Sequence, residues 1–302
     1  MVKMFEEYRI EHAPRIKELK YSAHLLGQSR LSMAGLALLL FFVFVALLAS
    51  SIATHDPLAI NLAERLQPPS WEHLLGTDEY GRDMFSRVVH GTRFAFYEGF
   101  LIVSISLGAG TAIGLASGYR GGFIDEISMR IMDILLAFPY LVLAICIASA
   151  LMKPEGGFYF DPLFSALMAI SIVSIPSYAR LVRSEVLTVK ESEFVDAARA
   201  SGASSFRISF THILPNCLAP LVVQATMSFG TAVISAAAMS FIGLGAQPPI
   251  PEWGALIVSG RSLLPRYWWC ATFPGIAILF FSMGFNLFGD GLRDIMDPRL
   301  RR

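Results

Sequence analysis

Residues 31–53 read LSMAGLALLLFFVFVALLASSIA, 23 positions without a charged side chain. A helix that crosses the hydrocarbon core of a bilayer needs about 20 mostly apolar residues, so this stretch is long enough to span it. It exceeds the roughly 7–15-residue apolar core of a secretory signal, and no convincing A-x-A cleavage site follows, so it reads as a retained anchor.

Five further uncharged runs follow, at 99–119, 134–152, 162–179, about 218–241 and 271–289. Each is roughly twice the 9–11 residues of a membrane β-strand, and hydrocarbon admits only helices and closed barrels. The expected fold is an all-α membrane protein with six transmembrane helices. Bulk composition agrees: 54% of the 302 residues are hydrophobic, mean hydropathy is +0.56, and 16% are charged against roughly 25% in soluble domains.

The 24 basic and 24 acidic residues cancel, so no net field draws in nucleic acid or acidic solutes. Their distribution is uneven. The N-terminal tail, the 120–133 and 180–215 loops and the C-terminal tail carry 17 Lys and Arg, the alternate loops seven. Positive charge marks the cytoplasmic side, so both termini are expected in the cytoplasm and the 54–98 loop on the other face. Cys146, Cys217 and Cys270 show neither C-x-x-C spacing nor an even count, which argues against a disulfide scaffold or zinc module.

Ion-driven carriers place ionisable groups near mid-bilayer, where such groups are costly and so tend to be functional. Here Glu98, Asp133, Arg180 and Asp290 sit at the ends of runs and read as interfacial charges. Sodium sites built from carbonyls and hydroxyls would escape this test. None of the five lysines follows a glycine, so the G-x-x-x-x-G-K-[ST] phosphate loop is missing and this chain is not expected to hydrolyse ATP. H-E-x-x-H is absent, and Gly289-Asp290-Gly291 lacks the G-x-G-D pattern of intramembrane aspartyl proteases. No catalytic, cofactor-binding or metal-ligating residues are expected. His55, His73 and His90 stand 18 and 17 residues apart, which reads as scattered histidines and not as local ligand spacing.

Gly110, Gly114 and Gly118 form a double G-x-x-x-G, a small face on which another helix backbone can approach closely, and Gly108 adds to it. Pro139, Pro176 and Pro274 interrupt the third, fourth and sixth runs and should kink them. Arg87 and Arg93 are expected to anchor the approach to the second span at the interface.

The richest signal lies in the 36 residues of the 180–215 connection, long for a link between bundle helices. Ser192 can cap a short helix with Glu193, Asp196 and Arg199 on one face, Phe194, Ala198 and Ser201 on the other, and Val195 flanking. Asp196 sits near the positive end of its dipole, and Gly202 supplies a left-handed residue at its close. A second helix starts at Ser204 or Ser205, with Phe206, Phe210, Ile213 and Leu214 at i, i+4, i+7 and i+8. Pro215 then marks the start of the next span. On periodicity alone this is an amphipathic segment lying on the lipid surface.

The particular residues point elsewhere. Asp196-Ala197-Ala198, then Gly202, then Leu214-Pro215 resemble the E-A-A-x3-G-x9-I-x-L-P signature of ABC importer permeases. Asp196 stands for Glu and His212 for Ile, and His212-Ile213-Leu214-Pro215-Asn216 is similar to the variant found in the peptide and nickel branch. Three more segments resemble the second permease subunit of that branch: Leu75-Gly76-Thr77-Asp78-Glu79-Tyr80-Gly81-Arg82-Asp83, the stretch from Phe241 through Pro248-Pro249 to Gly254, and Gly289 to Asp294 with Asp297-Pro298-Arg299. The likeness covers all but about the first 20 residues.

This resemblance implies the type-1 transmembrane domain of an ABC importer. Residues 1–30 would be a cytoplasmic tail, 31–94 the first helix and an extracytoplasmic loop, and 95–302 a five-helix domain with the coupling loop at 180–215. The chain would be one of two non-identical permeases in the lipid of a prokaryotic cytoplasmic membrane. Its implied partners are the second permease, two cytoplasmic ATPases that bind ATP and Mg, and an extracytoplasmic substrate-binding protein delivering dipeptides, oligopeptides, nickel or a related solute. Nucleic acid is not among them, and the chain itself holds no cofactor. Alternating access would be driven through a coupling helix at 192–202, with Phe194, Asp196, Ala197, Ala198, Arg199, Gly202, Leu214 and Pro215 as coupling residues. Thr77, Asp78, Arg82 and Asp83 either close a loop through Asx turns and an Arg–carboxylate pair or touch the substrate or its delivery protein. The rival readings are a stand-alone secondary carrier or channel and a membrane-anchored scaffold.

Overall fold

The computed structural model describes residues 29–152 and 160–296. Most of the N-terminal tail, Lys153 and the Asp297-Pro298-Arg299 end of the last motif lie outside them. The main helices are α1 (Arg30–Leu47), α2 (Met84–Arg120), α3 (Gly122–Ala137), α4 (Tyr140–Leu151), α5 (Pro162–Lys190), α6 (Glu193–Ala200), α7 (Leu214–Ile242), α8 (Trp253–Arg261) and α9 (Trp269–Met296). Among the described residues no strand forms; a single bridge joins Thr77 to Asp83.

Among the described residues, five helical runs are long and apolar enough to cross a membrane: α1, α2, α5, α9 and the run Ser205–Ile242 that contains α7. The third expected span, 134–152, is not one helix. Helices α3 and α4 pass the same test only together and are bent by 100°. The break falls at Phe138-Pro139, where Phe138 is extended and Pro139 has no N–H to continue the ladder. Part of what reads as a 120–133 loop is therefore helix α3. Pro176 and Pro274, by contrast, lie inside α5 and α9, which run on without interruption.

Helix α2 begins well before the apolar run that announces it. Asp83 caps its first turn, its Oδ2 accepting the Ser86 N–H at 2.8 Å. With 37 residues at 1.5 Å each, α2 is about 55 Å long and separates the 54–83 loop from the turn that follows α5. Positions 94 and 95, where the first helix and outer loop are divided from the five-helix domain, lie inside this helix. Glu98, read as interfacial, is fully buried within α2, and neither carboxylate oxygen has a hydrogen-bond partner among the described residues. Asp133 and Arg180 are exposed, 3.9 Å apart.

Helix α2 lies along α5 through its small face. A Cβ on Gly110 would overlap Tyr178 Cβ, one on Gly114 would come within 2.7 Å of Val182 Cβ, and one on Gly118 within 2.9 Å of Val186 Cβ; Gly108 faces open space. Helix α9 packs against α1, α7 and α8. Around it Phe42, Met84, Trp253 and Phe281 form an apolar cluster near the start of α2, while Leu115, Val182, Val186 and Ile213 form another near its end.

The two arginines expected to anchor the approach to the second span both fasten elements within the chain. Arg87 is buried, its Nη1 donating to the Pro57 carbonyl at 3.2 Å. Arg93 donates from Nε to the Ala46 carbonyl at 2.8 Å and from Nη1 to Ser50 at 3.0 Å. It thereby satisfies a carbonyl that the end of α1 would otherwise leave bare.

Candidate functional site

At the end of α5 the chain builds a small platform. Ser192 occupies the N-cap position of α6, yet its hydroxyl donates back to the Val189 carbonyl at 2.6 Å and no side-chain cap forms. The expected division of faces also changes. Val195 is the one buried residue of α6, inserted among Val182, Val186, Ile208 and Ile213. Phe194 is 46% exposed and shares the solvent side with Glu193, Asp196, Ala197 and Arg199, while Ala198 turns partly inward. Arg199 donates to Asp196 at 3.0 Å on that outer surface.

Gly202 closes the helix at φ +78°. The Gly202 N–H reaches the Arg199 carbonyl at 3.0 Å and the Ala203 N–H the Ala198 carbonyl at 3.1 Å, the paired bonds of a Schellman ending. Ser204 then caps the next turn, Ser205–Arg207, accepting the Arg207 N–H at 3.3 Å.

The expected stripe of Phe206, Phe210, Ile213 and Leu214 splits, because Ile208–Ile213 is a π-helix. Its wider turn places Ile208 and Ile213, five residues apart, on the buried face. Phe206 and Phe210 are exposed and packed against each other with ring centroids 4.5 Å apart. Pro215 cannot donate to this register, and the Asn216 side chain bonds the His212 carbonyl at 2.7 Å. Leu214 is half-buried and Pro215 exposed in the first turn of α7.

Thr77, Asp78, Arg82 and Asp83 lie at the other end of α2, and all four are buried. Asp78 Oδ1 accepts the N–H groups of Tyr80 and Arg82, each at 2.9 Å, while its Oδ2 accepts from Arg82 Nε at 2.7 Å. The Thr77 hydroxyl donates to the Glu64 carbonyl and accepts the Gln67 N–H at 2.8 Å. The Thr77 carbonyl accepts from Trp269 Nε1 at 3.1 Å, which ties the loop to α9. The histidines are not all scattered: His55 and His73 meet beside Asp83 with ring centroids 4.8 Å apart, although His90 bonds the Ser86 carbonyl and stays away. Residues 18 apart met because the loop folds back on α2, which spacing alone does not convey.

Between α2, α4, α5 and α7 lies a cavity of about 370 Å³. Ser106, Tyr140, Ser174, Ser177, Tyr178, Gln224, Ser228, Thr231 and Ser235 line it, and no charged side chain among the described residues does. Tyr140 and Ser174 hydroxyls stand 3.1 Å apart, and Gln224 Nε2 donates to Ser228 at 3.2 Å. A signal existed: 224, 228, 231 and 235 follow i, i+4, i+7 and i+11, a polar stripe on one face of a largely apolar helix. Ser174, Thr231 and Ser235 donate to carbonyls of their own helices, so these hydroxyls turn acceptor lone pairs to the cavity without the desolvation penalty of buried charge.

Two family descriptions match this chain. Residues 110–302 match the binding-protein-dependent transport system inner membrane component, and residues 22–69 match the N-terminal transmembrane domain of oligopeptide transport permease C. The chain is 45% identical over 276 residues, 91% of its length and 88% of the relative's, to the dipeptide transport system permease protein DppC of Alkalihalophilus pseudofirmus. It is also 45% identical over 275 residues, 91% and 90% of the two chains, to the probable D,D-dipeptide transport system permease protein DdpC of Escherichia coli K12. Among solved structures, that of an amino acid ABC transporter with histidines aligns with TM-score 0.53 at 17% identity, covering 68% of this chain and 92% of that one. That last likeness bears on the fold.

Proposed function

Because the chain belongs to the family of binding-protein-dependent transport system inner membrane components, and so is a membrane permease component of an ABC importer, we propose that it carries dipeptides and related short peptides. On this reading it pairs with a second permease in the inner membrane, and its termini face the cytoplasm. Two ATPases dock beneath and an extracytoplasmic binding protein delivers the peptide. ATP is hydrolysed by the partners, since this chain has no phosphate loop.

The observation that carries the coupling role is the placement of α6. Val195 fastens it to α5 and α7 on one side, and Phe194, Asp196, Ala197 and Arg199 are presented on the other. On this reading a pull on the outer face of α6 passes to α5 and α7 through Val195 and the partly buried Ala198. Motion of α5 is shared with α3 through the two-pronged pair of Asp125 and Arg183, whose Nη2–Oδ2 arm is 2.6 Å. The hydroxyl-lined cavity between α2, α4, α5 and α7 is the segment of the path proposed for the peptide. Its uncharged donors and acceptors match peptide amides and do not select side-chain charge.

Reconstitution tests the reading. The full complex in proteoliposomes should take up labelled dipeptide only with ATP and binding protein, and vanadate should stop it. Ala198→Glu or Gly202→Trp should leave ATP hydrolysis running while uptake is lost. Uptake by this chain alone under an ion gradient would replace the reading with a secondary carrier, and uptake that persists without the chain would reduce it to a scaffold.

A further inference from the structure

We infer that His55, His73 and Asp83 form a binding site for one divalent transition-metal ion of the zinc class. Each residue offers one ligand atom, and the three atoms lie within 4.8 Å of one another. His73 Nδ1 is 2.9 Å and His55 Nδ1 3.8 Å from the same oxygen, Asp83 Oδ1. The other oxygen of Asp83 is occupied: it accepts the N–H and hydroxyl of Ser86 at 2.8 and 2.7 Å and the hydroxyl of Thr54 at 3.3 Å. The carboxylate is thus held with its Oδ1 turned to both imidazoles.

The surroundings supply what a ligated imidazole requires. A metal-bound histidine usually hands its second ring N–H to a carboxylate. His73 is 3% exposed, its Nε2 lacks a hydrogen-bond partner among the described residues, and Glu64 Oε2 stands 3.5 Å from it. A hydrogen bond from His73 to Asp83 alone accounts for Nδ1 but leaves the buried Nε2 without a partner among the described residues, while His55 Nδ1, which also lies 3.0 Å from the Thr54 hydroxyl, faces the same Asp83 oxygen. His55 is pinned by its own backbone, whose N–H donates to Ser86 Oγ at 3.0 Å, and its ring is 40% exposed, so a fourth ligand can be water. Two imidazoles and one carboxylate suit zinc and its neighbours, not the all-oxygen preference of magnesium or calcium. The ion would join three segments: the chain leaving α1, the 54–83 loop and the first turn of α2.

The test uses the complete transporter complex purified without a polyhistidine tag, stripped by a chelator and desalted. Zinc is then titrated against a fluorescent chelator, and melting is followed in parallel. The wild-type complex should bind one zinc more than the His55→Ala/His73→Ala complex and melt at a higher temperature when zinc is added, with magnesium giving no shift. His55→Ala, which removes a partly exposed ring, should weaken the zinc affinity at least tenfold, and His90→Ala should leave it unchanged. X-ray absorption of the bound ion should report nitrogen and oxygen ligands at about 2.0–2.2 Å and no sulfur. Equal zinc binding by the wild-type and doubly substituted complexes would overturn the assignment, as would unaltered affinity in His55→Ala.

Discussion

Arg82 Nε donates to Asp78 Oδ2 across 2.7 Å with both side chains buried, and a second buried guanidinium, that of Arg87, has its Nε 3.8 Å from the same oxygen. One carboxylate therefore compensates two cations while its Oδ1 also fixes two backbone N–H groups of the turn. Removing one partner of a buried pair costs about 3–5 kcal/mol, because the other charge is left without compensation. Asp78→Ala should lower the melting temperature of the purified complex and open the 54–83 loop to protease. Asp78→Leu combined with Arg82→Met should melt closer to wild type. A single substitution that melts like wild type would remove the structural role assigned to this pair.

The glycine face of α2 carries its own control. A side chain at Gly114 collides with the Ala179 carbonyl and Val182, whereas one at Gly108 meets nothing within 4 Å. Overpacking costs about 1–3 kcal/mol where neighbours can shift, and more where the obstacle is backbone. Gly114→Leu should sharply reduce assembled complex in membranes, and Gly108→Leu should not. Quantitative blotting of the complex in membranes decides it, and equal yields would mean α2 and α5 do not need this approach.

Gly202 separates backbone from docking. Its φ of +78° is costly for an L-residue by roughly 1–2 kcal/mol, least so for Asn, and an added Cβ meets nothing within 4 Å among the described residues. Gly202→Asn should retain more peptide uptake than Gly202→Ala if only the turn matters. If the partner ATPase packs against this point, both should lose uptake equally while ATP hydrolysis continues. Parallel assays of uptake and hydrolysis in proteoliposomes distinguish the two.

What was legible in the sequence was what local chemistry decides. Ser204 as a cap and Gly202 as a left-handed stop depend on a few adjacent bonds, and uncharged runs announce helices whatever they touch. The start of α2 was hidden because Arg87, His90, Arg93 and Glu98 break its apolar pattern, although Asp83 with Ser86 three residues on was an available N-cap signal. The burial of Val195 comes from α5 and the π-turn, which the periodicity of α6 by itself does not convey. That π-turn also defeated the 3.6-residue count that grouped Phe206 with Ile213. The meeting of His55 with His73 and the hydroxyl-lined cavity are tertiary products of the same kind, set by loop closure and helix rotation.

Glu252 gives a pH dependence with a definite sign. It caps α8, its two oxygens accepting the N–H groups of Gly254 at 2.6 Å and Ala255 at 2.8 Å. Burial pushes its carboxyl upward, and the two N–H groups and the Ser240 hydroxyl offset only part of that rise. A carboxyl that ionises less readily folded than unfolded binds more protons in the native state, so stability falls as pH climbs from the unfolded value through the raised folded one. Below the unfolded value both states are protonated and this loss is absent. Glu252→Gln keeps an acceptor for one N–H and removes the titration. The melting temperature of wild type minus that of Glu252→Gln should therefore decrease from mildly acidic to neutral pH, measured on the purified complex in one detergent at constant ionic strength. A difference that rises with pH would mean that the cap's hydrogen bonds to the ionised carboxylate outweigh its burial.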